Sequence, residues 1–295
     1  MMNKQALRGI IAPLVTPFDQ NENFDEKTFR KEVQYLLNTG IHGISPGGST
    51  GEGAVLSDEE LVRMVEIIKE ENKNNIPIVA GIIRNSAKDA VKAGLAVKKA
   101  GATALMVTPT HYNVLVPDED GNFDFYKRLS DEVGLSIIIY NVVPQNPIGP
   151  SLFSRMLENI EHVVGIKQSV GGIQAFYEMK LLCGDKGLIY SATDDMLYST
   201  FDLGADGAIA AILTAFPEIS VRIWDLVQEG NGAQAKELQH KLYPAWQAIK
   251  GDHFPRRIKE TLHQLGREVG IARSPILEAT EKEKENIKAA LKYLD

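Results

Sequence analysis

Short apolar runs alternate with stretches of helical period over the first two thirds of the chain. The runs at 10–16, 43–46, 78–83, 104–108, 136–140, 163–167, 188–192 and 207–212 predict eight strands. They lack the in/out alternation of a half-exposed sheet, which fits parallel strands buried on both faces. Helical signals lie between them. Ser57-Asp58-Glu59-Glu60 reads as a capping box, with Leu61, Val65 and Ile68 following on one face. Ser86 to Asp89 repeats the signature ahead of Ala90, Val91, Gly94 and Val97, and Asp25 opens a helix through Leu37 that Gly40 ends. Eight β-then-α units in series predict an α/β fold, a (β/α)8 TIM barrel over residues 1–216, rather than an open doubly wound sheet.

The pattern changes at Pro217. From there only helical stretches are expected, at Pro217–Gln228, 233–249, 255–264 and 281–294, giving a C-terminal helical extension over 217–295 that packs on the barrel. It would cover a barrel face or build an oligomer interface. Composition adds mainly exclusions. The 295 residues are 44% hydrophobic and 24% charged, an ordinary globular mix. A net charge of −7 opposes a nucleic-acid surface, which would need a basic patch, but leaves room for a small anionic substrate. Cys183 is the single cysteine, and the six histidines form no ligand pair, so neither a disulfide nor a metal or organic cofactor is expected. The first nine residues lack an apolar signal core, and no run of about 18 apolar residues exists. The expectation is a cytoplasmic protein without a membrane partner.

The chemistry stands at the carboxyl ends of the strands, where parallel α/β folds place it. The predicted ends carry Thr16, Pro46, Arg84, Thr108, Tyr140, Lys167, Thr193 and Ile212, and Lys167 is the only lysine among them. Partial desolvation against a core lowers a lysine pKa from about 10.4 and frees a neutral amine to attack a carbonyl. Tyr140 ends the preceding strand, about 5 Å away across a sheet, where a phenol can shuttle protons to a carbinolamine. The pair suggests Schiff-base chemistry; a solvated lysine and a satisfied core tyrosine are the plain alternatives. After the second strand, Gly47-Gly48-Ser49-Thr50-Gly51-Glu52 offers backbone N–H groups and hydroxyls to a carboxylate or phosphate, unless it is an ordinary Gly-rich turn. It lacks the Gly-Lys-Ser/Thr ending of a P-loop.

Together these motifs resemble the dihydrodipicolinate synthase and N-acetylneuraminate lyase family, across residues 9–294. The resemblance rests on Gly48 to Glu52, on Val107-Thr108-Pro109 with Tyr112-Asn113, on Tyr140-Asn141 with Pro144, and on Gly165 to Ser169. It continues through Asp194-Asp195 and Gly204 to Gly207. It implies a class I lyase or aldolase of pyruvate or another 2-oxo acid, in a homotetramer built as a dimer of dimers. It further implies Lys167 as the imine-forming lysine and Tyr140 as the proton relay. Gly48, Ser49 and Thr50 would form the carboxylate loop, with Thr50 as hydroxyl relay. Tyr112 would reach into a neighbouring subunit or pack an interface, and Ser169, Thr193 and Ile209 would contact substrate.

One departure limits the substrate. Dihydrodipicolinate synthases read Tyr-Asn-Val-Pro-Gly-Arg-Thr after the relay tyrosine, and that arginine grips the second substrate. This chain reads Tyr140-Asn141-Val142-Val143-Pro144-Gln145-Asn146-Pro147, with one residue inserted and no arginine. Gln145 and Asn146 cannot supply a bidentate charged clamp. Arg84 is a candidate replacement, with a salt bridge to a nearby acid as the alternative. The substrate choices left open are those of 4-hydroxy-tetrahydrodipicolinate synthase proper, of a deaminase or dehydratase of hydroxy-pyrroline carboxylates, and of keto-deoxy sugar acid enzymes. Outside catalysis stands a 2-oxo acid binding protein that keeps the barrel. A phosphate-binding barrel would want a second Gly-rich loop near the last strands, and none is seen.

Overall fold

A computed structural model describes residues 4–294. Eight parallel strands form its centre: β1 (Gly9–Pro13), β2 (Gly43–Ser45), β3 (Val79–Ile82), β4 (Ala104–Val107), β5 (Ser136–Asn141), β6 (Val163–Gln168), β7 (Leu188–Ser191) and β8 (Gly207–Ala208). Their hydrogen-bonded order is β2-β1-β8-β7-β6-β5-β4-β3. A parallel bridge between Ile44 and Ile78 joins the two ends of that order, so the sheet closes into the expected barrel.

Helices α1 (Glu26–Leu37), α2 (Asp58–Glu71), α3 (Ala87–Ala100), α4 (Glu119–Val133), α5 (Pro150–Asn159), α6 (Gly172–Cys183), α7 (Leu197–Asp202) and α8 (Ile212–Ala215) alternate with the strands. The Ser57 capping box is made in full, and Ser86 caps α3 by accepting from Asp89 N–H. Helices α9 (Pro217–Gln228), α10 (Gly232–Ile249), α11 (Phe254–Gln264) and α12 (Glu281–Leu291) follow. The eighth strand is shorter than its apolar run: after Ala208 the chain turns, and Ile212 opens α8. An apolar run of this length has no period that separates strand from buried helix. Among the described residues no helix is long and apolar enough to cross a membrane, and no group of three or more His, Cys, Asp or Glu side chains could hold a metal ion.

The core has two parts. Ile11, Val79, Met106, Ile138, Val164 and Tyr190 fill the barrel, while residues such as Ile137, Ile139 and Ile166 face the helical layer. One irregularity decides the site. Between β5 and β6 the register runs Ile137 to Val163 but Ile138 to Gly165, leaving Val164 as an extra residue. A bulge of this kind resets which face the following side chains occupy. From it, Tyr140 pairs with Lys167, and both point into the barrel. Gly165 holds the tight spot, because a Cβ there would lie 2.7 Å from the Leu188 carbonyl oxygen. Gly165→Ala should therefore destabilise the fold by about 1–3 kcal/mol through overpacking. Urea denaturation checks this; an unchanged midpoint would mean that the strands absorb the methyl group.

Candidate active site

Tyr140 and Lys167 sit side by side at the carboxyl ends of β5 and β6, each nearly buried. The Lys167 Nζ lies 3.8 Å from the centroid of the Tyr140 ring, a cation–π contact. The Tyr140 hydroxyl donates to Ser49 Oγ at 3.1 Å. Beyond this layer, Asn141 and Gln168 pair on the opposite face of the same strands. Asn141 Nδ2 donates to Gln168 Oε1 and to the Ile148 carbonyl, each at 2.9 Å, and Gln168 Nε2 donates to the Val170 carbonyl at 2.7 Å. Those bonds fix the two loops that leave the strands.

The Ser49–Gly51 turn is a single 3-10 turn, so successive side chains point in different directions. Here it is Ser49 that meets the phenol, while Thr50, expected as the hydroxyl relay, lines the same cavity. The turn is held from below. Thr16 Oγ1 donates to the Gly51 carbonyl at 2.6 Å, and the Glu52 carboxylate, in the left-handed region at φ 57°, takes a buried ion pair from Lys259 of α11 at 2.7 Å. Lys259 also donates to the Thr16 carbonyl at 2.7 Å, and Arg273 N–H donates to Glu52 at 2.8 Å. Burial pushes the Lys259 ammonium down, and the Glu52 charge opposes that shift.

A cavity of about 360 Å³ opens over the lysine. Ser49, Thr50, Tyr140, Lys167, Ser169 and Ile209 line it. Gly48 precedes the turn, and Thr193, whose N–H donates to Ser191 Oγ at 3.4 Å, lies between the lining residues Ala192 and Asp194 without lining the cavity itself. Arg84 holds the alternative arrangement: it binds Asp58 at 2.9 Å and the Ile83 carbonyl at 2.9 Å, away from the cavity. Its strand end turns it toward the start of α2, where an acid already waits. Gln145 donates to the His111 carbonyl and Asn146 joins a buried network with Thr110 and Asn122, so neither faces the cavity. Tyr112 is 58% exposed beside Val114 and Leu115.

Sequence reasoning missed two contributions. Trp246, Lys250 and Phe254, from the helices after the barrel, wall the cavity; no periodic motif marks them. Asp194 is the other: it accepts from Ile212 N–H at 2.8 Å and lines the same cavity as Lys167. Burial pushes its carboxyl up to about 6, against the pull of the Ile212 N–H and the Lys167 charge.

The model of the dihydrodipicolinate synthetase family matches residues 6–294. The 4-hydroxy-tetrahydrodipicolinate synthase of Brucella abortus is 30% identical, over 97% of this chain and 98% of its own. That of Archaeoglobus fulgidus is 31% identical over the same shares. The crystal structure of dihydrodipicolinate synthase from Thermotoga maritima superposes with a TM-score of 0.91 at 27% identity, covering 97% of each chain. The Ruminococcus gnavus sialic acid aldolase shares the fold at a TM-score of 0.89 and 22% identity, over 98% of this chain and 97% of its own.

The Asp194 carboxyl generates a pH prediction. Above about pH 6 it is charged beside Lys167 and favours a cation there; below, that support is lost. Because its folded pKa is raised, its ionisation costs stability above pH 6, and acidification through this group relieves that cost. An acid limb near pH 6 in kcat/KM is therefore not unfolding driven by this carboxyl. Asp194→Asn should remove the limb; a limb retained in the variant assigns it to another group.

Proposed function

We propose, from the premise that this chain belongs to the dihydrodipicolinate synthetase family, that it is a class I lyase acting through an imine on Lys167. The observation that carries this reading is a lysine and a phenol on paired strand ends, with the phenol bonded to Ser49. The Lys167 amine adds to C2 of pyruvate or a related 2-oxo acid. The carbinolamine loses water, with Tyr140 and Ser49 passing the protons, and leaves a protonated imine. That cation draws electrons from C3, which gives up a proton to form an enamine. The enamine carbon then bonds to an aldehyde carbon; in the cleavage direction the same bond breaks and the aldehyde leaves. The Ser49–Thr50 turn holds the 2-oxo acid's carboxylate, and Asp194 supports the imine's charge. Ser169 and Ile209 shape the wall.

The relatives named 4-hydroxy-tetrahydrodipicolinate synthase favour pyruvate as the imine-forming partner. The lack of an arginine after Tyr140 separates this chain from that enzyme's second-substrate clamp. The exposed Tyr112 loop is the surface through which copies would associate into the expected homotetramer. Borohydride added with pyruvate should leave one reduced pyruvate adduct on Lys167, read by peptide mass, and Lys167→Ala should abolish it. Tyr140→Phe should lower turnover by about 10²–10³-fold. A wild-type protein that traps none of several 2-oxo acids would return the chain to a binding role.

A further inference from the structure

Among the described residues lining the cavity, two are cations: Lys167, nearly buried, and Lys250, whose side chain is 44% exposed at the opening. The other groups that might grip an anion are engaged elsewhere, Arg84 on Asp58, Gln145 on the His111 carbonyl, and Asn146 on Thr110 and Asn122. Lys250 directly follows α10 and precedes Gly251 at φ +98°, and the side chain lies along the cavity wall. Its partner is Asp195, with Nζ and Oδ2 3.6 Å apart. An exposed pair this long contributes little, so the ammonium can leave it for another anion. Asp195 is not stranded when that happens, because Gln247 Nε2 donates to the same oxygen at 3.2 Å. Much of the rest of the wall is apolar, with Val142, Ile209, Ala210, Trp246 and Phe254. A second cation in an otherwise largely apolar wall selects for a second negative charge on the ligand.

We propose that Lys250 binds an anionic group, a carboxylate, at the end of the substrate remote from the keto carbon, so that the enzyme takes or releases 2-oxo acids carrying two carboxylates. This rests on the imine reading of Lys167. The helices after the barrel then supply the second-substrate cation that the Tyr140 loop lacks. The binding step is ion exchange only: Lys250 leaves Asp195 and pairs with the incoming carboxylate, with no covalent change.

The test compares how borohydride trapping saturates with 2-oxoglutarate and with 2-oxohexanoate, whose remote end is uncharged. Wild-type protein should half-saturate with 2-oxoglutarate at a concentration lower by about tenfold or more, one charged contact's worth. Lys250→Gln should erase that preference and Lys250→Arg should keep it. A preference that survives in Lys250→Gln, or its absence in the wild type while pyruvate is trapped, overturns the assignment of Lys250. Wild-type protein that traps no oxo acid, pyruvate included, overturns the imine reading first and this assignment with it.

Discussion

The structure turns on the extra residue at Val164. Parallel strands bring paired residues to the same face, and without the register shift at Val164 Tyr140 would pair with Ile166 and Lys167 would point into the helical layer. There a lysine would be buried among apolar side chains with no carbonyl to meet. With it, the lysine and the phenol share one layer of the barrel interior, and Asn141 and Gln168 take the opposite face and tie down both loops. One irregularity in register thus assigns four polar side chains, two to the cavity and two to holding its rim. Gly165, next to it, lets β6 lie close against β7, where a Cβ would meet the Leu188 carbonyl oxygen.

The helices after the barrel do more than cover it. Lys259 and Glu52 are both almost fully buried, and such a pair is a poor source of net stability, since desolvation offsets most of the attraction. Its value is positional. Losing either partner would strand a charge in the core, so the Ser49–Thr50 turn and α11 are constrained to move together. Arg267 and Glu32 form a second buried pair, between the chain after α11 and α1, of the same kind. Burial pushes the Glu32 carboxyl up while Arg267 holds it down. The hydroxyl that meets the Tyr140 phenol therefore takes its position from residues more than two hundred positions further along the chain.

How much of this was legible follows from which interactions are local. The strands were readable because each is a short apolar run, and Lys167 and Tyr140 because each is the polar residue that ends one. The end of the eighth strand was not, since an apolar run carries no mark of where extended backbone becomes helix. The bulge was hidden for a related reason: in Val163-Val164-Gly165 every residue suits either face. Ser49 and Thr50 are chemically alike, and only the pitch of a 3-10 turn decides which meets the phenol. Arg84 carried the right charge at a strand end, but Asp58 lies where its guanidinium turns. The cavity wall from α10 and α11 has no signal at all, because Trp246, Lys250 and Phe254 come together only when two helices pack over the barrel.

That last gap bears on how substrate choice is arranged in this fold. The imine chemistry proposed above needs a lysine, a phenol and a hydroxyl within a few ångströms; two barrel strands carry the first two and the 3-10 turn after β2 carries the third. Recognition of the second substrate makes no such demand. It needs a charge at the right distance, and that charge can come from any segment that reaches the opening. An arginine in the loop after Tyr140 would be one solution and, on the proposal above, Lys250 at the end of α10 another. Chains with the same reactive layer can then differ in substrate by moving one cation between two loops, without altering a residue that forms or breaks a bond.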